Sequence, residues 1–356
     1  MSGFDETRRC DAVVVGGGPA GCAAATVLAR HGVEVCLIDD GRRTSWPGET
    51  LPAGSTQVVT DVFGAGVLDS HNRAFAVQAA WETEELHVTD GLAHPLGEGW
   101  LLDRRLFDAQ ARRAAARAGA AILEGHGTVG ASESNAWAVR ITGTSLHTSL
   151  LIDATGRTAV LARRLGALVE HGSDLLACIV VTPESGDPLQ ATTVESVADG
   201  WWYSTPTPGG GRVLALVSDA DLVPRGSARA RWWLDSLRAT EHIRALLPAG
   251  GLEEVLTQRM VVSRAGTGWL AAPYGERWAA VGDAAAHFDP LSSQGLLTGI
   301  LMGARAGQAI VDDALADWSV DYRMLIDEHL ELASHYYGLV DRWPASPFWR
   351  RRSRAS

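Results

Sequence analysis

The chain has 356 residues, 46% of them apolar and 21% charged, with a formal net charge of −11. This length exceeds one typical domain and suffices for two interleaved ones with ample core. The acidic balance, with nothing basic concentrated except in the last few residues, excludes a nucleic-acid binder. No apolar run approaches bilayer-spanning length, and Met1–Glu6 lacks the basic end and apolar core of a signal peptide, so a cytoplasmic protein without a membrane partner is expected. Cys10, Cys22, Cys36 and Cys178 show no paired ligand spacing, which points to buried thiols and no metal.

In chain order, the β-branched run ending at Val15 meets a cluster of glycines and then an alanine-rich segment, which reads as strand, tight turn and helix. Gly16, Gly18 and Gly21 fall at G-x-G-x-x-G spacing. The first allows the sharp turn, the second close approach of backbone to a pyrophosphate, and the third close helix–strand packing. A second apolar strand, Val35 to Ile38, ends in Asp39, an acid placed to accept hydrogen bonds from an adenosine ribose. A Pro/Gly-punctuated loop follows from Gly41 to Pro52, then a helix-like run to about Leu68 and a strand pair from Ala79 to about His94. Trp100–Asp103 leads into a long Ala/Arg helix ending at Gly119. After it come the strand 121–124, a hairpin around Asn135 and the strand Leu150–Asp153, which runs into Ala154-Thr155-Gly156-Arg157.

From Leu175 to Arg264 the pattern changes to alternating strands at 177–182, 192–197, 201–205 and 212–218, an antiparallel sheet suited to a substrate domain. Pro208–Gly211 joins two of these strands as a hairpin turn, and 228–247 is helical. The first fold resumes at Trp278, with Gly282-Asp283 and a loop opening a helix that runs from Gly295 to about Ala316. The aromatic and basic end is expected to be a helix packed by its aromatics with a solvated tail. The fold class is therefore α/β: a discontinuous Rossmann-like FAD-binding domain (1–75, 97–174 and 265–320), an antiparallel-sheet substrate domain (76–96 and 175–264) and a C-terminal helix and tail (321–356).

These segments resemble the FAD-dependent monooxygenases built like para-hydroxybenzoate hydroxylase, and the resemblance covers nearly the whole chain. It implies FAD as cofactor. The pyrophosphate would lie at Gly16, Gly18, Pro19, Ala20 and Gly21, and the adenosine at Asp39, Asp40 and Val129. Arg104 would reach back towards the cofactor, and the Asp153-Ala-Thr-Gly156 run would lie beside the pyrophosphate. Gly282 and Asp283 match the segment whose aspartate binds the ribityl chain. Pro290, Gln294, Gly295 and Leu296 match the loop and helix start that face the isoalloxazine, where helix amides stabilise negative charge on the reduced ring.

Trp201-Trp202-Tyr203-Ser-Thr-Pro206 is similar to a W-x-W-x-I-P segment of flavin-dependent tryptophan halogenases, and Gly48–Pro52 to a loop in those enzymes and in geranylgeranyl reductases. Halogenation in that group depends on a lysine, and this chain contains none. The resemblance is closer to lysine-less, halogenase-like flavoproteins, among them enzymes that hydroxylate a protein tryptophan during tryptophylquinone maturation. It is carried by Asp289–Gly295 and the Arg342–Arg350 tail.

The resemblance implies oxygen insertion into an electron-rich aromatic ring, free or bound to a carrier or protein, by way of a peroxyflavin. His287, between two flavin-contacting elements and titrating near neutrality, is the first acid/base candidate, followed by Glu49 and Asp289. Trp201, Trp202 and Tyr203 are candidates for the substrate pocket. Because alternate strand residues face opposite sides, Trp202 can line it only if the other two do not. No second nucleotide fingerprint is present, so electrons are expected from NAD(P)H visiting briefly or from a separate flavin reductase. A dehydrogenase or reductase of the geranylgeranyl reductase kind, and a flavoprotein acting on a protein-bound substrate, are the alternatives.

Overall fold

The structure, a computed structural model, describes residues 6–41, 48–91, 95–131, 136–141, 143–184 and 191–353. Parts of the expected 41–52 loop, of the strand pair near His94 and of the hairpin at Asn135 lie outside those residues.

The central sheet orders its strands Tyr274–Gly275, Trp278–Ala280, Thr144–Asp153, Glu6–Val15, Val35–Asp39 and Ala121–Glu124. All but the first run parallel. Strand Val35–Asp39 is buried at every residue, as a parallel strand covered on both faces must be. Strand Thr144–Asp153 is long enough to serve two partners along one edge: its first half pairs with Trp137–Ile141 and its last residues with Trp278–Ala280. The C-terminal ends of the parallel strands, where a doubly wound fold places its ligand, are therefore Val15, Asp39, Glu124, Asp153 and Ala280. This is the Rossmann-like α/β architecture expected from the sequence.

Helix Pro19–Arg30 packs between Arg104–Ala118 and Gly295–Val311. Gly299, Gly303 and Gly307 recur every fourth residue and form the contact with the first helix. A Cβ on Gly303 would lie 2.1 Å from the Ala20 carbonyl oxygen, and one on Gly307 3.1 Å from that of Ala24. The missing side chains let the two backbones touch, which fixes the start of the late helix beside the early glycine turn.

The second sheet orders Val261–Arg264, Leu175–Thr182, Arg212–Asp219, Gly200–Pro206, Ala191–Val197, Ala76–Ala80 and His87–Asp90. The turn between Gly200–Pro206 and Arg212–Asp219 is closed by Thr207 donating to the Gly211 carbonyl at 2.8 Å, and is a hairpin. One face of this sheet is covered by helices Ser227–Arg238 and His242–Ala245, through Trp233, Leu237 and Ile243. The other is covered by the chain's end, through Tyr337, Phe348 and Trp349.

Several boundaries differ from the sequence reading. The helix expected to reach Leu68 is Ser55–Phe63, ended by Gly64 at φ 97. The helical stretch 228–247 breaks after Arg238. The helix from Gly295 ends at Val311, because Asp313 adopts φ 54 and turns the chain before Leu315–Gly338 begins. Within the aromatic and basic end, Arg351, itself exposed, places Nη1 2.7 Å from Asp219 Oδ2, and Arg352 also binds that carboxylate.

Candidate active site

The early glycine turn is built by close approach. A Cβ on Gly16 would lie 2.1 Å from the Ala154 carbonyl oxygen, and one on Gly21 2.0 Å from that of Gly16. Gly16 also has φ 117, a conformation glycine tolerates and other residues do not. Gly18 is different: its φ is −70 and a Cβ there would meet nothing within 4 Å. Its missing side chain therefore serves open space rather than protein packing. Directly behind it, helix Pro19–Arg30 starts without a side-chain cap, so its first amides face that space. Gly282, at φ 59, completes the junction, since a Cβ there would lie 2.5 Å from Ala20 Cβ. The early glycine turn and the late aspartate segment thus adjoin.

Asp39 is buried. Its Oδ1 accepts from the Gly41 amide at 3.3 Å, and its Oδ2 lies 3.1 Å from Arg112 Nη1, so a ribose would share this carboxylate with Arg112. Asp40 beside it is exposed, and Val129 is half-buried against the cluster containing Ile38. Asp153 is committed within its own segment. One oxygen accepts from the Thr155 amide and hydroxyl at 2.9 and 2.6 Å, the other from the Leu161 and Ala162 amides at 2.9 and 2.8 Å. It shapes the turn carrying Gly156, whose Cβ direction is open.

Arg104 sits at the mouth of the long helix and pairs with Glu49 on one side and with Asp108, at 3.3 Å, on the other. Burial alone would lower its pKa, but the two carboxylates outweigh burial and hold it above its ordinary value. Its Nε is buried with no partner among the described residues, a donor left for a further group. Asp108 and Arg112 follow on the same helix face at i+4 and i+8. The sequence reading took only Arg104 from this row, although the spacing was there to be read.

At the other end, Gln294 precedes helix Gly295–Val311, which also starts without a side-chain cap. Gln294 and Gly295 are exposed, Pro290 is half-buried and Leu296 is part of the main core. Asp283 Oδ2 lies 3.3 Å from Arg157 Nε, and Arg157 also donates to the carbonyls of Gly266 and Phe288 at 2.9 and 2.8 Å. Two uncapped helix N-termini, an open glycine at the first of them and a guanidinium Nε unpartnered among the described residues suit FAD, with its anionic diphosphate and an electron-accepting ring.

The three acid/base candidates are not brought together: no hydrogen bond or ion pair joins them among the described residues. Glu49 is engaged by Arg104. His287 lines a polar cleft with Arg157, Arg163, His171, Arg264 and Asp283, and burial, then Arg157, lowers its pKa. Asp289 is 5% exposed, caps the Leu291 amide at 3.2 Å and has its pKa raised by burial.

The aromatic candidates divide between the two faces of the second sheet. Trp202 is fully buried against Trp233, ring centroids 4.8 Å apart, with Nε1 donating to Ser236 Oγ at 3.1 Å. Trp201 and Tyr203 take the opposite face, in a cluster that includes Leu291 of the loop leading to Gly295. Trp201 is itself fully buried. Tyr203 is the half-buried member, and its hydroxyl approaches Thr50 Oγ1 at 3.4 Å in a group completed by Thr192 and Thr205.

The chain matches the family described as FAD dependent oxidoreductase over residues 11–195, more than half its length. It belongs to the FAD-dependent oxidoreductases. Across 363 aligned residues, this oxidoreductase is 25% identical to LodB of Marinomonas mediterranea, a proposed FAD-dependent oxidoreductase, with 96% of each chain covered. It is 26% identical to the menaquinone reductase of Mycolicibacterium smegmatis, covering 90% of this chain and 81% of the relative. In fold it is similar to the peptidyl tryptophan dihydroxylase QhpG, with a TM-score of 0.82 and 23% identity over 98% of this chain and 80% of the other. It is also similar to the myxobacterial chondrochloren halogenase CndH, with a TM-score of 0.83 and 18% identity over 98% and 87%. Among the described residues no helix is long and apolar enough to cross a membrane.

Proposed function

We propose that this oxidoreductase is a monooxygenase that inserts oxygen into an electron-rich aromatic ring, presented by a small molecule or by a carrier- or protein-bound side chain. The observation that carries the reading is the position of the Trp201–Tyr203 face: it packs on Leu291, next to the uncapped helix that would receive the flavin ring. Bound FAD would supply the redox chemistry, taking up two electrons and passing them to dioxygen.

The chain's own residues bind, orient and exclude water. Gly18 and the amides after Pro19 would hold the diphosphate, Asp39 the ribose and Asp283 the ribityl hydroxyls. Arg104, fixed by Glu49 and Asp108, would direct its free Nε at the cofactor. The amides from Gly295 would face the pyrimidine end of the ring. Tyr203 and the hydroxyls around it offer the substrate a polar edge on an aromatic wall. Electrons would come from NAD(P)H or from a separate flavin reductase, and the exposed guanidiniums of Arg163 and Arg264 in the cleft beside Asp283 suit a phosphate-bearing donor. The absence of lysine argues against halogenation of the lysine-dependent kind. The peptidyl tryptophan dihydroxylase among the structural neighbours fits a tryptophan-derived substrate.

The menaquinone reductase relative supports a second reading, reduction of an isoprenoid or quinone double bond. The two separate on product mass. Purified protein with FAD and reductant, offered indoles, tryptophan-containing peptides and phenols under heavy dioxygen, is expected to give a product carrying label. A product changed only by hydrogens, or turnover restricted to polyenes and quinones, would establish the reductase instead.

A further inference from the structure

The face of the second sheet that carries Trp201 and Tyr203 is not covered evenly. Strand register sets side chains in rows across it. In one row Trp201 pairs with Ser196 and Val217, and the ring of Trp81 reaches it at 6.0 Å between centroids. All four are buried, and Tyr337 and Trp349 of the chain's end pack on Trp81. Two residues along each strand the next row differs: Tyr203 pairs with Val194, and Val194 with Ala79. These three residues, on adjacent strands, are all half-buried. The third row is closed again at its inner end, where Thr192 Oγ1 lies 3.3 Å from the hydroxyls of both Thr50 and Thr205. At its outer end Val77, paired with Thr192, is 47% exposed. Between the two closed regions runs an open strip floored by Val194 and Ala79. Tyr203 stands at its inner end, and the exposed His87, the partner of Ala79 on the edge strand, at its outer end. Neighbouring strands lie about 5 Å apart, so the floor from Tyr203 to Ala79 is about 10 Å long.

We propose that the substrate is an aromatic ring bearing a hydrocarbon arm, with the ring against Tyr203 and the arm laid across Val194 and Ala79 towards the sheet edge. The inference rests on the reading that Tyr203 lines the substrate pocket, and it adds what the substrate must carry besides the ring. The floor is apolar, so a hydrocarbon lying on it leaves water at a gain in free energy. A peptide arm would not suit it. The main-chain groups of these strands are taken up by the sheet ladder, and the hydroxyls of Thr50, Thr192 and Thr205 bond to one another, so the amides of such an arm would be left without partners. Ala79 is the specificity-determining residue of the strip, because a side chain of any size there would block the way from Tyr203 to the edge.

The test titrates the FAD-loaded protein by calorimetry with indole and with 3-alkylindoles of increasing chain length. Wild-type dissociation constants are expected to fall by about two- to fourfold for each added methylene until the chain reaches the sheet edge. Ala79→Phe, which lays a ring across the floor, should flatten that dependence. Val88→Phe serves as the control: Val88 is 57% exposed and pairs with Gln78, so the same ring is added to the opposite face of the same edge, and the dependence should persist. Affinity independent of chain length in the wild type, or an unchanged dependence in Ala79→Phe, would overturn the proposal. So would tryptophan peptides that bind more tightly than alkylindoles of equal length. If Ala79→Phe does not fold, Val77→Asp decides the matter at an exposed position. Its carboxylate beside the strip should weaken the long-chain indoles severalfold more than indole itself, and equal effects on both would refute the arm. If no indole or phenol binds at all, the placing of a substrate at Tyr203 fails and the arm with it, an outcome distinct from binding that ignores the chain.

Discussion

At the proposed phosphate end, backbone lies on backbone: Gly16 against Ala154, Gly21 against Gly16 and Gly282 against Ala20 leave no room for a single added carbon. At the proposed ring end, backbone contact at Gly303 and Gly307 seats the late helix, while side chains brace the loop before it. The loop before Gly295 meets Thr267, whose Oγ1 accepts from the Asp289 amide, and His329, whose ring stacks on Phe288. One end is rigid because its parts are small enough for three segments, around Gly16, Ala154 and Gly282, to meet at the backbone. The other is only as rigid as a buried polar network assembled from distant segments. The first arrangement suits a diphosphate of fixed shape, and the second allows the position of the loop to be set by the segments packed on it.

The sharpest break in this comparison lies within the glycine turn itself. Gly16→Ala sets a Cβ 2.1 Å from a carbonyl oxygen at φ 117, so a loss of about 3 kcal/mol or more, or failure to fold, is expected. Gly18→Ala meets neither obstacle, and its melting temperature without cofactor should match the wild type. FAD titration of Gly18→Ala should nevertheless show markedly weakened binding, because the added methyl occupies the space left for the diphosphate. Unchanged FAD affinity in Gly18→Ala would place the diphosphate elsewhere.

The same contrast explains what could be read from the sequence. The strand, glycine turn and helix were legible because their requirements are local: glycines at fixed spacing between a strand and a helix, and an acid ending the next strand. Arg104, Asp108 and Arg112 were legible in principle, since a four-residue period places them on one helix face. The commitment of Asp153 to the amides of Leu161 and Ala162 was not, because the same acid in the same motif could equally have pointed outward. Nor was the approach of His329 to Asp289, since no periodicity links a loop to a C-terminal helix. The break at Asp313 was hidden as well: an aspartate adopts the left-handed region more readily than most residues, and only the packing of the following helix demands it here.

The ring end is also where pH should act. Burial pushes the pKa of His329 down to about 4, from an ordinary 6.5. Between those values the unfolded chain binds more protons than the native one, so stability rises with pH across that window. The contribution of neutral His329 is complete above about pH 6.5 and is lost as the pH falls towards 4, with a ceiling of about 3 kcal/mol. Asp289, 3.9 Å away and raised by burial, works in the opposite sense and gains stability as it takes up a proton. Arg157 and Arg352 also face that carboxylate. Melting temperatures at pH 7, 6 and 5 should therefore fall less steeply in His329→Gln than in the wild type. An identical slope would mean that His329 is not held neutral by its surroundings.

The smallest effect expected is the most informative about the substrate. Trp202 and Tyr203 are consecutive residues on one strand with opposite fates: Trp202 lies under helix Ser227–Arg238, while Tyr203 is half-buried among the hydroxyls of Thr50, Thr192 and Thr205 beside Glu49. Trp202→Phe removes a hydrogen bond and part of a buried ring, and should cost about 1–3 kcal/mol of stability with no change in KM. Tyr203→Phe removes one hydroxyl from a cluster whose other members can still bond to one another, so about 1 kcal/mol or less of stability is at stake. Its KM for an aromatic substrate should nevertheless rise severalfold while kcat changes little, because binding to the polar edge is lost without disturbing the cofactor. A raised KM in Trp202→Phe and not in Tyr203→Phe would invert the sheet's two faces and move the substrate to the far side of the molecule, away from every group that could hold the flavin.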